Sequence, residues 1–116
     1  MTFMPLRERL AELLRSALQS AQAAGELPPF DIPEPLPVEP ARHAAHGDYG
    51  SPVCLGLARV VRRAPLQIAQ TVIPHLPAAD FVAHAEAVAP GYINFTLSET
   101  WLAAQVAEVL AAGRSA

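Results

Sequence analysis

The chain has 116 residues, of which 52% are hydrophobic, 16% are charged and 12 are prolines. This length and composition predict one domain, residues 1–116, which can bury an apolar core, and they exclude global disorder. The net charge of −3 excludes a nucleic-acid binder held by bulk basicity, so any RNA contact must come from a local patch or from a larger protein that supplies the cations.

The N-terminal part predicts one helix followed by an extended segment. Leucines and alanines recur at helical spacing over residues 5–24, and Gly25 suits a helix C-cap. The prolines of residues 26–50 exclude a helix and predict a Pro-rich extended loop, with at most a short edge strand near Leu36 to Glu39. At the end of this loop, we expect the Asp48 side chain to bond the local backbone and set up the next helix.

Two further helices are predicted in the middle of the chain. Ser51 is expected to cap the first of them, with Pro52 at its first helical position. Pro65 is expected to end that helix and to begin the next one. Pro74 should then kink or end this third helix, because proline cannot continue the helical hydrogen bonding.

The C-terminal part predicts a β-hairpin and a last helix. Residues 81–88 and 92–97 have strand character, and the turn Ala89-Pro90-Gly91 joins them. Ser98 is placed to cap a helix that Gly113 ends. The whole order predicts an α+β fold, in which a small antiparallel sheet that includes this hairpin is covered by about four helices.

The second hairpin strand alternates between two kinds of side chain. Ile93, Phe95 and Leu97 point to one face and can fill a core, whereas Tyr92 and Asn94 point to the other. An aromatic ring that can stack on a base, beside an amide that can bond a base edge, is typical of proteins that read unpaired RNA. The same pair also occurs on ordinary exposed strands.

The sequence contains one local basic patch. Arg59, Arg62 and Arg63 fall three and four residues apart, so they are predicted to share an exposed helix face. Such a face can contact phosphates, but a solvated face is the simpler interpretation.

No active site is predicted. His43 and His46 with Asp48 lack the spacing and the further ligands of a zinc site, and a solvated loop is favoured. No Gly-rich phosphate loop and no serine with a plausible base are found, so we expect neither catalytic residues nor a metal. Cys54 is the one cysteine and is expected to be a buried thiol. Without a signal peptide or a membrane-spanning run, a cytoplasmic location is expected.

Three sequence blocks together resemble the N-terminal domain of arginyl-tRNA synthetases. The first is His46-Gly47-Asp48-Tyr49, followed by a helix with Leu57-Ala58-Arg59, which resembles the family's Gly-Asp-Tyr/Phe block. The second, Pro65 to Ala69, is similar to its Pro-x-x-Ile-Ala block. The third, Val88 to Ser98 with Trp101, resembles its Ala-Gly-Pro-Gly-Phe-Ile-Asn-Phe block. The order and the spacing match over residues 46–102.

The resemblance implies a tRNA-binding domain placed before a catalytic domain. In the family, the D-loop corner of arginine tRNA presents an unpaired base to this domain. Carried onto this chain, Tyr92 would stack on the base and Asn94 would bond its edge or ribose, with Gly91 and Ala89 in the turn that presents them. Ala89 departs from the glycine that is usual there.

The implied parent protein is a ligase that uses ATP to join arginine to its tRNA. The chain holds neither the His-x-Gly-His motif nor the Lys-Met-Ser-Lys-Ser-like loop of class I synthetases, so it cannot activate arginine by itself and is expected to bind no cofactor. It is then a segment of a longer synthetase or a free-standing copy of this domain. The expected partners are arginine tRNA and the catalytic domain in cis, and a monomer without membrane contact is expected.

Two other functions stay open. The net acidity and the Pro-rich loop fit a protein-interaction module derived from this domain that has lost RNA binding. The α+β layout alone fits a small-ligand regulatory domain, which would need a concave apolar pocket. Salt-dependent tRNA binding separates the RNA hypothesis from the protein-interaction hypothesis.

Overall fold

The computed structural model describes residues 6–41 and 47–104. Helix α1 is followed by two short strands, two helices with a 3₁₀ turn after them, a hairpin and the start of helix α4. Their bounds are α1 Leu6–Ala23, β1 Glu39–Pro40, β2 Tyr49–Ser51, α2 Val53–Val61, α3 Pro65–Val72, the 3₁₀ turn Ile73–His75, β3 Val82–Val88, β4 Tyr92–Leu97 and α4 from residue 99 to 104. This order confirms the predicted α+β fold.

The four strands form one antiparallel sheet in the order β1-β2-β4-β3. Strand β4 is therefore central, with β2 on one side and β3 on the other. The hairpin partners include Val88 with Tyr92 and Glu86 with Asn94, and a register irregularity lies between Val82 and His84. On the other side, Gly50 of β2 pairs with Asn94.

The core lies on the face of the sheet that carries Ile93, Phe95 and Leu97. Phe95 and Ile93 have no exposed surface, and they belong to one apolar cluster with the buried sides of the helices. The helix residues of this cluster are Leu10, Leu14, Ala17, Leu18, Ala21, Val53, Cys54, Leu57, Val61, Ile68, Ala69 and Val72. Burying one large apolar side chain stabilises a fold by about 1.5–3 kcal/mol, so this cluster fixes which face of β4 turns inward.

The Pro-rich segment packs on the core through Leu27, Leu36 and Val38. The predicted edge strand near Leu36 to Glu39 is found later and shorter, as the two residues of β1. Leu36 and Val38 are buried in the core instead. The Pro37 carbonyl also accepts a hydrogen bond of 2.5 Å from the Ser51 hydroxyl. Residues 36–40 are thus an extended chain that is held by alternate buried side chains.

The middle helices differ from the prediction at their ends. Ser51 lies in β2 and Pro52 is the N-cap residue of α2, although the Ser51 hydroxyl still accepts the Val53 amide at 3.3 Å. Helix α2 ends at Val61, and Arg62 follows it with a φ of +60°. Helix α3 begins at Pro65 as predicted and passes into the 3₁₀ turn that contains Pro74.

The last helix begins as the sequence predicts. The Ser98 hydroxyl accepts the backbone amide of Trp101 at 3.2 Å, so Ser98 is the N-cap. The Trp101 ring lies 5.8 Å from that of Phe81, which the Arg9 guanidinium approaches to 6.0 Å. The end of this helix at Gly113 lies outside the described residues. Within the described part of the chain, no helix is long and apolar enough to cross a membrane.

Candidate nucleic-acid interface

We call the sheet surface opposite the core the outer face. Tyr92, Asn94 and Thr96 of β4 lie on it, since they alternate with the core residues of that strand. The register adds their cross-strand partners, because directly paired residues share a face. These partners are Val88, Glu86 and His84 of β3, Gly50 of β2 and, one strand further, Glu39 of β1.

Asn94 is the unusual residue of the outer face. It is 6% exposed, yet its side chain makes no hydrogen bond to another described residue. No described side-chain nitrogen or oxygen is both fully enclosed and unpaired, so the amide still reaches solvent. Buried polar side chains are normally hydrogen-bonded within the protein. The Asn94 amide is therefore a nearly buried polar group without a hydrogen-bond partner among the described residues.

Tyr92 stands next to Asn94 on the outer face and begins β4 directly after the turn. Its ring is partly buried, and Val88 is its cross-strand partner. Ala89 and Pro90 of the turn are exposed, but Gly91 is buried. The turn thus presents two exposed residues and the aromatic ring at one end of the sheet.

Gly91 seats this turn on the start of α3. A Cβ atom at Gly91 would lie 2.2 Å from the Cβ and 3.0 Å from the carbonyl carbon of Pro65. Only a residue without a side chain permits this approach. The second and third sequence blocks are therefore in direct contact, and helix α3 fixes where the turn lies.

The first sequence block packs on the other end of β4. Gly47 has a φ of +91°, and a Cβ there would lie 2.7 Å from the carbonyl oxygen of Phe95. The Asp48 amide donates to the same carbonyl at 2.8 Å, and the Asp48 carboxylate accepts the Leu97 amide at 2.8 Å. The expected local role of Asp48 in the turn is therefore wrong, because its side chain bonds the backbone of β4.

The three arginines do not form one helix face. Arg59 is exposed in the last turn of α2, whereas Arg62 and Arg63 lie beyond the end of that helix. The Arg63 guanidinium donates to the backbone carbonyl of Glu26 at 2.5 Å. The predicted ridge is wrong because Arg62 takes a left-handed conformation that ends the helix. All three side chains are nevertheless exposed.

Among the described residues, the outer face carries negative rather than positive charge. Glu39 and Glu86 flank the row that contains Gly50 and Asn94. His84 Nε2 lies 3.6 Å from Glu86 Oε2, and both side chains are about half exposed. Carboxylates repel phosphates, so this surface suits contacts to a base rather than to the nucleic-acid backbone.

The other sequence candidates carry no site in the described part of the chain. His43 and His46 lie outside the described residues, and no group of potential metal ligands is found among the described ones. Burial raises the pKa of the Cys54 thiol to about 12, which keeps it protonated. His75, between the Ser20 hydroxyl at 2.9 Å and the Glu26 carboxylate, ties α1 to the 3₁₀ turn.

Sequence reasoning missed Gly50. Nothing in its neighbours along the chain relates it to Asn94, which lies 44 positions later. The relation is one of register between β2 and β4, and no local pattern in the sequence specifies it.

Fold and surface together define a small α+β domain with one sheet face buried under helices and the other bearing an aromatic ring beside an amide that has no partner among the described residues. Comparison with known proteins identifies the family. The model of the family described as "Arginyl tRNA synthetase N terminal domain" matches residues 8–97, and the chain belongs to this family. It is thus an N-terminal domain of the arginyl-tRNA synthetase type.

Curated relatives agree with this assignment. The chain is 40% identical over 94 residues to the arginine–tRNA ligase of Halorhodospira halophila, a match that covers 80% of this chain and 16% of that protein. It is 44% identical over 95 residues to the arginine–tRNA ligase of Thermosynechococcus vestitus, with 82% and 15% covered. The chain thus spans about a sixth of the length of these relatives.

Solved structures show the same domain at comparable coverage. Thermus thermophilus arginyl-tRNA synthetase matches with a TM-score of 0.65 and 35% identity, over 81% of this chain and 14% of that one. The arginyl-tRNA synthetase of Plasmodium falciparum matches with a TM-score of 0.69 over 87% and 17%. At 13% identity, this match supports similarity of fold and nothing more.

Proposed function

We propose that this chain binds tRNA at the D-loop corner of arginine tRNA and positions it for aminoacylation by a separate class I catalytic domain. The observation that carries this proposal is the Asn94 amide, which is almost buried, has no partner among the described residues and lies beside the Tyr92 ring. Family membership supports it, because the curated relatives are named arginine–tRNA ligases.

The contact to the tRNA is made by the outer face and the adjoining turn. Tyr92 stacks on one unpaired base, and Asn94 bonds the edge or the ribose of that base. Gly91 keeps the turn against Pro65, and Ala89 lies at its exposed tip, where it packs against the nucleotide without a polar contact. Stacking on an aromatic side chain contributes about 1–3 kcal/mol per base, which makes Tyr92 the main source of affinity.

The arginines supply the few phosphate contacts. Arg59, Arg62 and Arg63 are exposed, and they lie shortly before Pro65 in the sequence, at or just beyond the end of α2. The turn Ala89-Pro90-Gly91 rests on Pro65, so the arginines are close in sequence to the residue that supports the site. Three contacts at most would make the logarithm of affinity fall with the logarithm of salt with a slope of about −2 to −3. ATP and arginine belong to the catalytic domain in this proposal, and the chain itself uses no cofactor.

A titration of the chain with an arginine tRNA transcript tests the proposal. Tyr92→Ala and Asn94→Ala should each weaken binding by about 5- to 150-fold, the range that stacking and base-edge contacts contribute. Gln19→Ala changes an exposed residue of α1 and is the matched control. Equal affinities for the parent chain and all three variants would contradict the assigned site.

A protein-interaction module without RNA binding is the second candidate. Val60 of α2 is 59% exposed, the largest exposure among the described large apolar residues, and the net charge is −3. In this candidate the chain is a free-standing module, α2 packs on a partner protein and the outer face has no ligand. The titration then shows no salt-dependent binding of tRNA.

A further inference from the structure

Gly50 occupies a position where the backbone does not require glycine. It lies in strand β2 and its φ is outside the left-handed region, so an alanine could adopt the same conformation. Glycine in a strand is otherwise unfavourable, because it packs no side chain and loses more conformational entropy on folding. A glycine in such a position often marks a close approach by another group.

The group that approaches Gly50 is the Asn94 side chain. A Cβ atom at Gly50 would lie 2.7 Å from Asn94 Oδ1, 3.7 Å from its Cγ and 4.0 Å from the Ile93 carbonyl oxygen. Only the first distance is too short for a real contact. The conflict therefore falls on the end of one rotatable side chain and leaves the backbone of β4 untouched.

We propose that Gly50 is the positioning residue for Asn94: it leaves the space over β2 into which the amide leans, and so sets where the amide meets a base. The inference rests on the proposed function, because it concerns the same site. With a methyl group at position 50, the amide rotates toward Glu86, its cross-strand neighbour on β3. There its NH₂ group donates to the carboxylate and is no longer available for RNA.

The experiment compares Gly50→Ala with Gly56→Ala. Gly56 is exposed on α2, and a Cβ atom there would have no neighbour within 4 Å, so the same chemical change at this position touches nothing. With an arginine tRNA transcript as the probe, Gly50→Ala should weaken binding at least about fivefold, the lower end for a base-edge contact. Gly56→Ala should bind as the parent chain does.

A double-mutant cycle separates positioning of the amide from general damage. In the Asn94→Ala background, Gly50→Ala should have no further effect on affinity, since the group it displaces is gone. The thermal midpoint of Gly50→Ala should stay within about 4 °C of the parent, because only one rotatable side chain has to move. The inference would be overturned by a larger drop in the thermal midpoint, or by a Gly50→Ala affinity equal to that of the parent chain. It would also be overturned if the affinity losses of the two substitutions multiplied in the double variant.

The two proposals can fail separately. If Asn94→Ala and Tyr92→Ala bind tRNA as the parent chain does, the proposed function is wrong at this surface. If those two variants lose affinity while Gly50→Ala keeps it, the proposed function stands and the role of Gly50 is refuted.

Discussion

Gly91→Ala perturbs the contact that holds the turn Ala89-Pro90-Gly91 on helix α3. The added Cβ would lie 2.2 Å from Pro65 Cβ and 3.0 Å from the Pro65 carbonyl carbon. Neither partner can rotate away, because one is part of a proline ring and the other is backbone. The turn must therefore move off the helix as a unit.

The loss of folding stability caused by Gly91→Ala follows from this geometry. Carbon atoms attract best at about 3.5–4.0 Å, so the turn has to retreat by about 1.5 Å. Forcing an extra methyl group into a packed contact costs about 1–3 kcal/mol. For a domain near 100 residues, each kcal/mol lowers the thermal midpoint by about 4–8 °C, so a drop of about 5–20 °C is expected.

Thermal unfolding followed by circular dichroism measures this drop. Gly56→Ala is the control, because its methyl group meets nothing within 4 Å and lies in a helix, where alanine stabilises by about 0.5–1 kcal/mol relative to glycine. A Gly91→Ala variant that melts with the parent chain, or above it, would refute the packing of the turn against Pro65.

Three further predictions concern the support of β4 and the core. Gly47→Ala should lower the free energy of unfolding, measured with denaturant, by about 2 kcal/mol or more. The substitution combines a φ of +91° with a methyl group 2.7 Å from the Phe95 carbonyl oxygen. Asp48→Ala should cost about 1.5 kcal/mol by the same assay, since the Leu97 amide loses its charged acceptor, and Asp48→Asn should cost less. The pKa of the Cys54 thiol is raised from 9.0 to about 12, so the unfolded chain loses this proton first. Stability should therefore fall by about 1.4 kcal/mol per pH unit between pH 9 and 12, and Cys54→Ala should flatten this slope, as unfolding at several pH values would show.

The elements of the fold follow from local features of the sequence. The apolar stripe of α1 has helical period and ends before Gly25, whose φ is +78°. The alternation of β4 and the Pro-Gly turn before it give the hairpin. Such features are local, so they can be read from a single sequence.

The ends of α2 and the pairing of β2 do not follow from local features of the sequence. Nothing in the run Val60-Val61-Arg62-Arg63 marks a stop, and the helix ends at Val61 because Arg62 takes a left-handed conformation. The Asp48 carboxylate finds its partner 49 residues away. Tertiary packing decides both, so the predicted arginine ridge and the predicted local role of Asp48 were wrong.

The features of the candidate site also divide into those that local sequence patterns predict and those that depend on tertiary packing. The alternation correctly places Tyr92 and Asn94 on the face away from the core, while their role in binding RNA stays a prediction. The near burial of Asn94 and the space that Gly50 gives it depend on the register between β2 and β4. Register is set by the packed core, which a single strand pattern does not specify.

Removal of one base from the tRNA tests whether Tyr92 stacks on an unpaired base of the D-loop. An arginine tRNA transcript with an abasic site in place of the unpaired D-loop base is titrated against the parent chain and Tyr92→Ala. The missing base should weaken binding of the parent chain by about 5- to 150-fold and that of Tyr92→Ala hardly at all, because ring and base form one stack. An equal loss in both proteins would contradict a stack between Tyr92 and that base, and no loss in either would place the D-loop base outside the interface.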